Sequence, residues 1–335
     1  MKRFLLLTLL GLLLFGCNQR TQLAVYTPVR ELVFEDSVLA DCLVRQAREH
    51  GWETAGQVVS LRCNSAEQPM IHSLSGLQQL SNLESLDLAH NAIDDATPVF
   101  ELSNLRHLDL GHNAVRTLPV KDHLLELSYL NVDHNQISTL TWIAALPYLK
   151  HLSVSGNQIR DLTPLRNAEQ LLELDVSHNQ VRDLDPLATL VALQRLNLGH
   201  NPLTGLGALA RLTALRSLSL DGAGIRHIEP LTALVALATL SLADNRLQDI
   251  GPLAALIDLE QLTLSGNPID SLQALHGLGS LVSVDVRDTP ELPCAQIEAL
   301  VKVFGGDAVK HDPCDGEPRS GALQGLAPRP QRQLS

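Results

Sequence analysis

The sequence predicts an α/β solenoid, in which short turns of chain stack on one another so that their strands form a parallel sheet. Three observations predict it. The middle of the chain repeats with a period of 22 residues, one phase of that period alternates between apolar and polar residues, and a second phase is almost always Asn. A single turn of this length cannot bury its own leucines, whereas stacked turns form one continuous core.

The Asn phase shows how strict the period is. Eight of its ten slots hold Asn and the other two hold Ala223 and Thr289; the eight are Asn91, Asn113, Asn135, Asn157, Asn179, Asn201, Asn245 and Asn267. Five and three residues before each slot stands Leu or Val, with a polar residue between them. This alternation predicts a short strand with one buried face and one solvated face. A carboxamide both donates and accepts, so the Asn is expected to satisfy backbone groups where the strand ends.

The second half of the repeat contains "DLTPL", "DLDPL", "HIEPL" and "DIGPL". Proline stops a strand, and it suits an extended or single-turn helical return. Together with "LDLAHN" and "LDLGHN", these segments are similar to the bacterial, internalin-like class of 22-residue leucine-rich repeats, over residues 71–290. The resemblance implies a curved solenoid with a concave parallel sheet and a convex side of loops and short helical turns. It also implies a binding protein, although leucine-rich repeats differ widely in their ligands.

Two caps are expected to close the ends of the core. Residues 34–70 contain a helix that begins after the N-cap Asp36 and ends at Gly51, followed by a first strand. Residues 291–316 contain a second amphipathic helix. Residues 317–335 are rich in Pro, Gly and Gln and are predicted to be a disordered tail.

The first 16 residues have the features of a secretory signal, because Lys2 and Arg3 precede a short apolar run. "LFGC" resembles a bacterial lipobox, which implies that Cys17 carries diacylglycerol and an N-acyl chain and anchors the chain to a membrane. Residues 17–33 then form a tether. Asn18 after the lipidated cysteine implies sorting to the outer membrane of the bacterial cell envelope. An uncleaved signal anchor is the alternative.

The chain contains four further cysteines. An exported chain is expected to lie in a compartment where disulfides can form. The four cysteines allow three pairings, and their grouping near the two ends favours Cys42–Cys63 and Cys294–Cys314. A metal site is the rival interpretation, but the spacing lacks close pairs such as CxxC.

The solvated strand positions of the N-terminal six repeats form the candidate binding face, because charged, imidazole and aromatic groups concentrate there. The predicted residues are Ser85, Asp87, His107, Asp109, Tyr129, Asn131, His151, Ser153, Glu173, Asp175, Arg195 and Asn197. Later repeats carry mostly Ser and Thr at these positions. A modest polar interface with another protein is therefore expected; the alternative is a polar face that is merely solvated.

Five histidines share one phase of the period: His90, His112, His134, His178 and His200. Three hypotheses apply to this histidine column. It is a habit of the repeat, a pH-responsive part of the binding face, or a transition-metal site built on His90, His112 and His134. The first is favoured, and no cofactor is predicted.

Composition narrows the function. A formal net charge of −12 provides no electrostatic footprint for nucleic acid. GxSxG, HExxH and Walker-type motifs are absent, so the chain is not expected to be an enzyme. We expect a lipid-anchored binding protein that acts in surface adhesion or host interaction. The alternative is a periplasm-facing envelope scaffold for an endogenous protein or glycan.

Overall fold

The computed structural model describes residues 25–64, 69–119 and 124–314. The predicted signal peptide, the lipid attachment at Cys17, the first part of the tether and the tail 317–335 lie outside these residues. The chain divides after Leu215 into two compact units, which are described in turn.

The first unit contains helix α1 and seven strands. α1 spans Ser37–His50. The strands are β1 Ser60–Arg62, β2 Ser85–Asp87, β3 His107–Asp109, β4 Tyr129–Asn131, β5 His151–Ser153, β6 Glu173–Asp175 and β7 Arg195–Asn197. Successive strands pair in parallel and in chain order. Between them the chain returns through short 3₁₀ helices, among them Thr97–Glu101, Thr141–Ala145, Thr163–Asn167 and Asp185–Thr189.

The second unit repeats the same design. Its strands are β8 Ser217–Ser219, β9 Thr239–Ser241, β10 Gln261–Thr263, β11 Ser283–Asp285 and β12 Val309–Lys310, with helix α2 at Cys294–Phe304. These strands are also parallel and follow chain order. β12 lies in the C-terminal cap and was not predicted. The predicted leucine-rich-repeat solenoid, with its strands and single-turn returns, is confirmed.

The buried Asn residues join each turn to the one before it. Asn135, which is 8 % exposed, donates from Nδ2 to the carbonyl oxygens of Val132 and Asp133 in its own turn and of Leu110 in the preceding turn, at 2.9–3.0 Å. Its Oδ1 accepts from the backbone N–H of Val115, also in the preceding turn, at 2.9 Å. The same pattern recurs at Asn157, Asn179 and Asn245. The side chain therefore satisfies backbone groups that the three-residue strands leave unpaired.

A helix lies at the N-terminal end of the first unit, where the sequence predicted one. Asp36 is the N-cap of α1 and accepts from the backbone N–H groups of Val38 and Leu39, and Gly51 ends the helix with a φ of 72°. Asp36 also accepts from the N–H groups of His72 and Ser73, in the first repeat. Burial opposes its ionisation, but these four donors outweigh burial and lower the pKa of Asp36.

The cap extends further toward the N-terminus than the predicted boundary. The backbone N–H of Val29 donates to the carbonyl of Glu53 at 2.9 Å, and the Val29 side chain is buried. Pro28 forms an antiparallel bridge with Thr54. Residues 28–29 therefore belong to the cap rather than to the tether, because this segment supplies partners for the turn that follows α1.

The cysteines agree with one of the two predicted bonds. Cys42 and Cys63 form a disulfide that ties α1 to β1. The predicted Cys294–Cys314 bond is not formed, and Cys294 at the start of α2 keeps a free thiol. Beyond β12 the chain is held at the sheet, where Asp312 accepts from the N–H of Asp288 at 2.8 Å. Nearness along the chain does not by itself supply the geometry that a disulfide needs.

The Asn hydrogen bonds are expected to contribute measurably to the stability of the turns that contain them. In Asn135→Ala the N–H of Val115 and the carbonyl of Leu110 lose their side-chain partner, at a cost of about 1–3 kcal/mol in the free energy of unfolding. The neighbouring Gln136→Ala, an exposed position, is the matched control and should change it by less than about 0.5 kcal/mol. Urea titration followed by circular dichroism measures both. Equal losses in the two variants would contradict the role given to Asn135.

Candidate functional site

The strand register assembles all twelve predicted binding residues on one surface. β2 to β7 pair without stagger, so the first residues of the strands align across the sheet and so do the third residues. The middle residue of each strand is buried. We call the solvent side of β2–β7 the display face. Its first-position row is Ser85, His107, Tyr129, His151, Glu173 and Arg195; its third-position row is Asp87, Asp109, Asn131, Ser153, Asp175 and Asn197.

Three aromatic rings follow Ser85 in the first-position row. The rings of His107 and Tyr129 stack with their centroids 3.9 Å apart and an interplanar angle of 7°. Tyr129 and His151 lie 6.2 Å apart at 35°, a tilted arrangement. Neighbouring strands are separated by about 4.8 Å, which holds rings at equivalent positions close together.

Charged groups continue the first-position row. Nδ1 of His151 lies 3.2 Å from Oε2 of Glu173, and Nη2 of Arg195 lies 2.5 Å from Oε1 of the same carboxylate. Glu173 thus bridges an imidazole and a guanidinium, while its side chain remains 32 % exposed. An unbroken line of contacts therefore runs from His107 to Arg195 across five strands, roughly 20 Å at the usual strand spacing.

The third-position row has a structural role that the sequence reasoning missed. Oδ1 of Asp109 accepts from the N–H of Gly111 at 2.8 Å, and Asn131 accepts in the same way from Asp133 at 2.9 Å. Asp87, Asp175 and Asn197 repeat this bond to the residue two positions on. Such Asx turns end each strand. The signal was in the sequence, because Asp and Asn fill this position in five of the six strands.

Ser153 does not form this turn, and a neighbouring carboxylate accepts the hydrogen bond instead. Oδ1 of Asp133 accepts from Oγ of Ser153 at 2.6 Å and from the N–H of Ser155 at 2.7 Å. Asp221 does the same for Ser241 and Ala243 in the second unit. Burial raises the pKa of Asp133, although these two hydrogen bonds oppose the shift.

The electrostatics of the display face are acidic around the rings. Burial raises the pKa of the Tyr129 hydroxyl, and the carboxylates of Asp109, Asp133 and Glu173 raise it further. Burial lowers the pKa of His107, partly offset by Asp109 and by Asp87. Strands β8 to β10 of the second unit carry Ser, Thr and Gln at the corresponding positions, as predicted.

The histidine column occupies a left-handed backbone position. All five residues have φ between 50° and 59°. The same slot in other repeats holds Gly156, Gly222, Asp244, Gly266 and Asp288, which also have positive φ. Outside Gly, this conformation favours Asn, Asp and His. The alternation of Gly, Asp and His at one phase was therefore a readable signal of positive φ, and it gives the repeat habit a physical cause.

The imidazoles of the column stack on one another. Ring centroids are 4.2 Å apart for His90–His112, 4.3 Å for His112–His134 and 4.1 Å for His178–His200. A Cβ on Gly156 would lie 2.6 Å from Nδ1 of His134, so the ring of His134 covers this glycine and the first stack ends there. Burial lowers the pKa of His112, and the imidazoles of His134 and His90 lower it further.

The arrangement of the column gives the metal hypothesis no support. Among the described residues, no group of three or more His, Cys, Asp or Glu side chains is arranged to hold a metal ion. The rings of His90, His112 and His134 are stacked on one another instead.

Trp142 belongs to the core edge on the side opposite the display face. It is 1 % exposed and donates from Nε1 to the carbonyl of Thr139 at 2.9 Å. It is therefore not an exposed anchor for a partner. None of the described helices is both long enough and apolar enough to span a membrane.

Comparison with known proteins agrees with this architecture. Models described as leucine-rich repeat match residues 81–137, 192–210, and, in two-copy form, 125–167, 147–189 and 235–275. The chain belongs to the leucine-rich repeat proteins. This repeat is a scaffold that generally supports protein–protein interaction. A search of curated proteins gives no match.

Solved structures of other leucine-rich repeat proteins are similar in fold. An internalin, InlF, of Listeria monocytogenes is 23 % identical with a TM-score of 0.71, over 86 % of this chain and 93 % of that one. The functional domain of InlJ from the same organism is 22 % identical with a TM-score of 0.66, over 79 % of this chain and 60 % of that one. A leucine-rich repeat protein of Leptospira interrogans is 24 % identical with a TM-score of 0.57, over 71 % and 68 %.

Substitutions at the column should follow backbone preference rather than side-chain chemistry. His112→Asn keeps a residue that tolerates positive φ and should leave the free energy of unfolding within about 0.5 kcal/mol. His112→Val places a β-branched residue there and should cost about 1–2 kcal/mol or more. Thermal unfolding of both variants checks the order. A Val variant as stable as the Asn variant would show that the slot is not constrained.

The lowered pKa values of His107 and His112 also predict a pH dependence of stability. Below about pH 6.5 the unfolded chain binds more protons at these two imidazoles than the folded chain does. The stability that comes from keeping them neutral is therefore fully present above that pH and is lost as the pH falls through it. Unfolding midpoints in urea should therefore decrease between about pH 7.5 and 5.5. The decrease should be smaller in His107→Gln/His112→Asn. The raised pKa of Asp133 acts in the opposite direction, and an unchanged decrease in the double variant would refute the assignment.

Proposed function

We propose that this chain binds another protein through the first-position row of the display face, without catalysis. The observation that carries the proposal is the contrast between the two rows. Asp and Asn of the third-position row are occupied in ending the strands, as at Asp109 and Asn131. By contrast, His107, Tyr129 and Glu173 contact mainly one another and their neighbours in the row. The fold needs only a solvated side chain at these positions, as Thr239 and Gln261 show in the second unit.

The chemistry of the row suits a polar protein interface. Tyr and Arg are among the residues that contribute most to binding energy, and the row holds one of each at Tyr129 and Arg195. Side chains fixed by stacking and by the Glu173 bridge lose less conformational freedom on binding than isolated ones. Three-residue strands on a buried core provide the rigid support that such a surface needs.

The cellular setting forms part of the proposal. Cys17 carries the lipid anchor, and the chain lies at the outer membrane of a bacterial envelope, where it serves surface adhesion or host interaction. The lipobox-like "LFGC" and the Cys42–Cys63 disulfide support an exported chain. Mass spectrometry of the purified protein should show acylated Cys17, and Cys17→Ser should leave the membrane fraction. Protease treatment of intact cells tests surface display. Protection until the outer membrane is opened would favour the periplasm-facing scaffold instead.

Loss of the two expected anchors should weaken binding without unfolding the chain. Tyr129→Ala/Arg195→Ala should weaken capture of a cross-linked partner by at least about tenfold, since such side chains contribute about 1–2 kcal/mol or more each. The control is Thr239→Ala/Gln261→Ala, which truncates matching strand positions in the second unit. Quantitative mass spectrometry of captured proteins, with equal unfolding midpoints for all variants, provides the measurement. A double variant that retains every partner would refute the assignment of the row.

A further inference from the structure

Seven imidazoles lie on or beside the display face: the five of the histidine column, together with His107 and His151 of the first-position row. The column slots of the second unit hold Gly or Asp, and its strands carry no histidine. Its histidines, His227, His276 and His311, stand elsewhere and are exposed. Imidazole is the side chain whose unperturbed titration falls between about pH 5 and 8. Seven of the ten histidines of the first unit are therefore on or beside the surface where the proposed partner binds.

The column and the strand rows share one electrostatic environment. Asp109 interacts with His107 on the strand and with His112 in the column, and Asp133 interacts with His134. His107 also faces Asp87, Arg62 and His151. Protonation of the column is consequently felt on the face, because these groups are closer together than the screening length of about 8–10 Å at physiological salt.

The balance of charge on this surface reverses with pH. The carboxylates are Asp87, Asp109, Asp133, Glu173 and Asp175, and the guanidinium groups are Arg62 and Arg195. At neutral pH the carboxylates outnumber the cations, so the surface is negative and complements a cationic patch. Five carboxylates against two guanidinium groups leave three negative charges in excess. Protonation of the seven imidazoles adds up to seven positive charges, so the net charge of the surface becomes positive.

We propose that the display face is a pH-gated binding surface, which takes a protein patch rich in Lys and Arg at neutral pH and releases it when the histidines are protonated. This inference rests on the proposed function and specifies its partner and its regulation. Arg195 is compatible with a cationic partner because its guanidinium is paired with Glu173 and offers contact area rather than an unpaired positive charge. Neighbouring rings of the column lie 4.1–4.3 Å apart, so positive charges on adjacent rings repel one another.

A cationic peptide tests the partner chemistry directly. The probe is an acetylated and amidated peptide of four Lys-Gly-Ser repeats, titrated into the full chain by fluorescence anisotropy at about pH 7.5 and about pH 5.5. We expect binding at the higher pH and an affinity at least about tenfold weaker at the lower pH. The matching peptide with Glu in place of Lys should bind only at the lower pH. Absence of binding by the Lys peptide at pH 7.5 would overturn the proposal.

A matched pair of variants distinguishes a pH effect that arises at the display face from one that arises elsewhere on this acidic chain. His90→Asn/His112→Asn/His134→Asn removes the first stack with a residue that tolerates positive φ, and should reduce the pH effect to less than about threefold. His227→Asn/His276→Asn/His311→Asn removes the same number of imidazoles from the second unit and should keep the tenfold effect. Equal pH effects in the two variants would overturn the proposal. Partner capture that depends on Tyr129 but is equal at about pH 7.5 and about pH 5.5 would also overturn this proposal. It would leave the proposed function intact.

Discussion

The hydrogen bonds of the buried Asn are the interaction on which the rest of the structure depends. Strands of three residues pair few backbone groups, and the chain must then leave the sheet inside a dry core. At Asn157 one carboxamide accepts from the N–H of Ile137 and donates to the carbonyl of Val132, both in the preceding turn. The bond fixes the register between turns as well as satisfying the backbone. Because register aligns the strands, it also aligns the side chains that stand on them, and the first-position row exists only as its consequence.

The role of a residue could be predicted from the sequence when one physical requirement selects that residue, and only in part when two requirements do. Leucine phases and Asn slots each meet one requirement, burial or backbone pairing, and the strands could be predicted from them. The proline segments predicted the returns, and Asp36 and Gly51 predicted the ends of α1. Asp109 meets two requirements, because it is solvated and also forms the turn that ends its strand. Only its solvated position was predicted from the sequence. Cys294 and Cys314 show the other limit, since a disulfide requires a distance in space that the spacing along the chain does not contain.

Histidine at the column illustrates how backbone and side-chain demands can select the same residue. The slot requires positive φ, which admits Gly, Asn, Asp and His at low cost. Of these only His brings a ring, so a run of consecutive repeats with His becomes a stack without any further selection for stacking. Gly156 interrupts the run and the ring of His134 lies over it. The lengths of the two stacks are therefore set by which of the permitted residues occupies each slot.

The same reasoning separates what the fold needs from what a partner could use. A residue whose atoms are all committed to backbone groups, such as Asn135, cannot change without loss of the turn, so it offers a partner nothing. His107, Tyr129 and Glu173 are the opposite case, because other repeats fold with Ser, Thr or Gln in their place. Ordered contacts among side chains that the fold does not require are what a binding surface adds to a scaffold. The histidine column lies between these cases: its backbone conformation is dictated by the turn, while its imidazoles stack on one another.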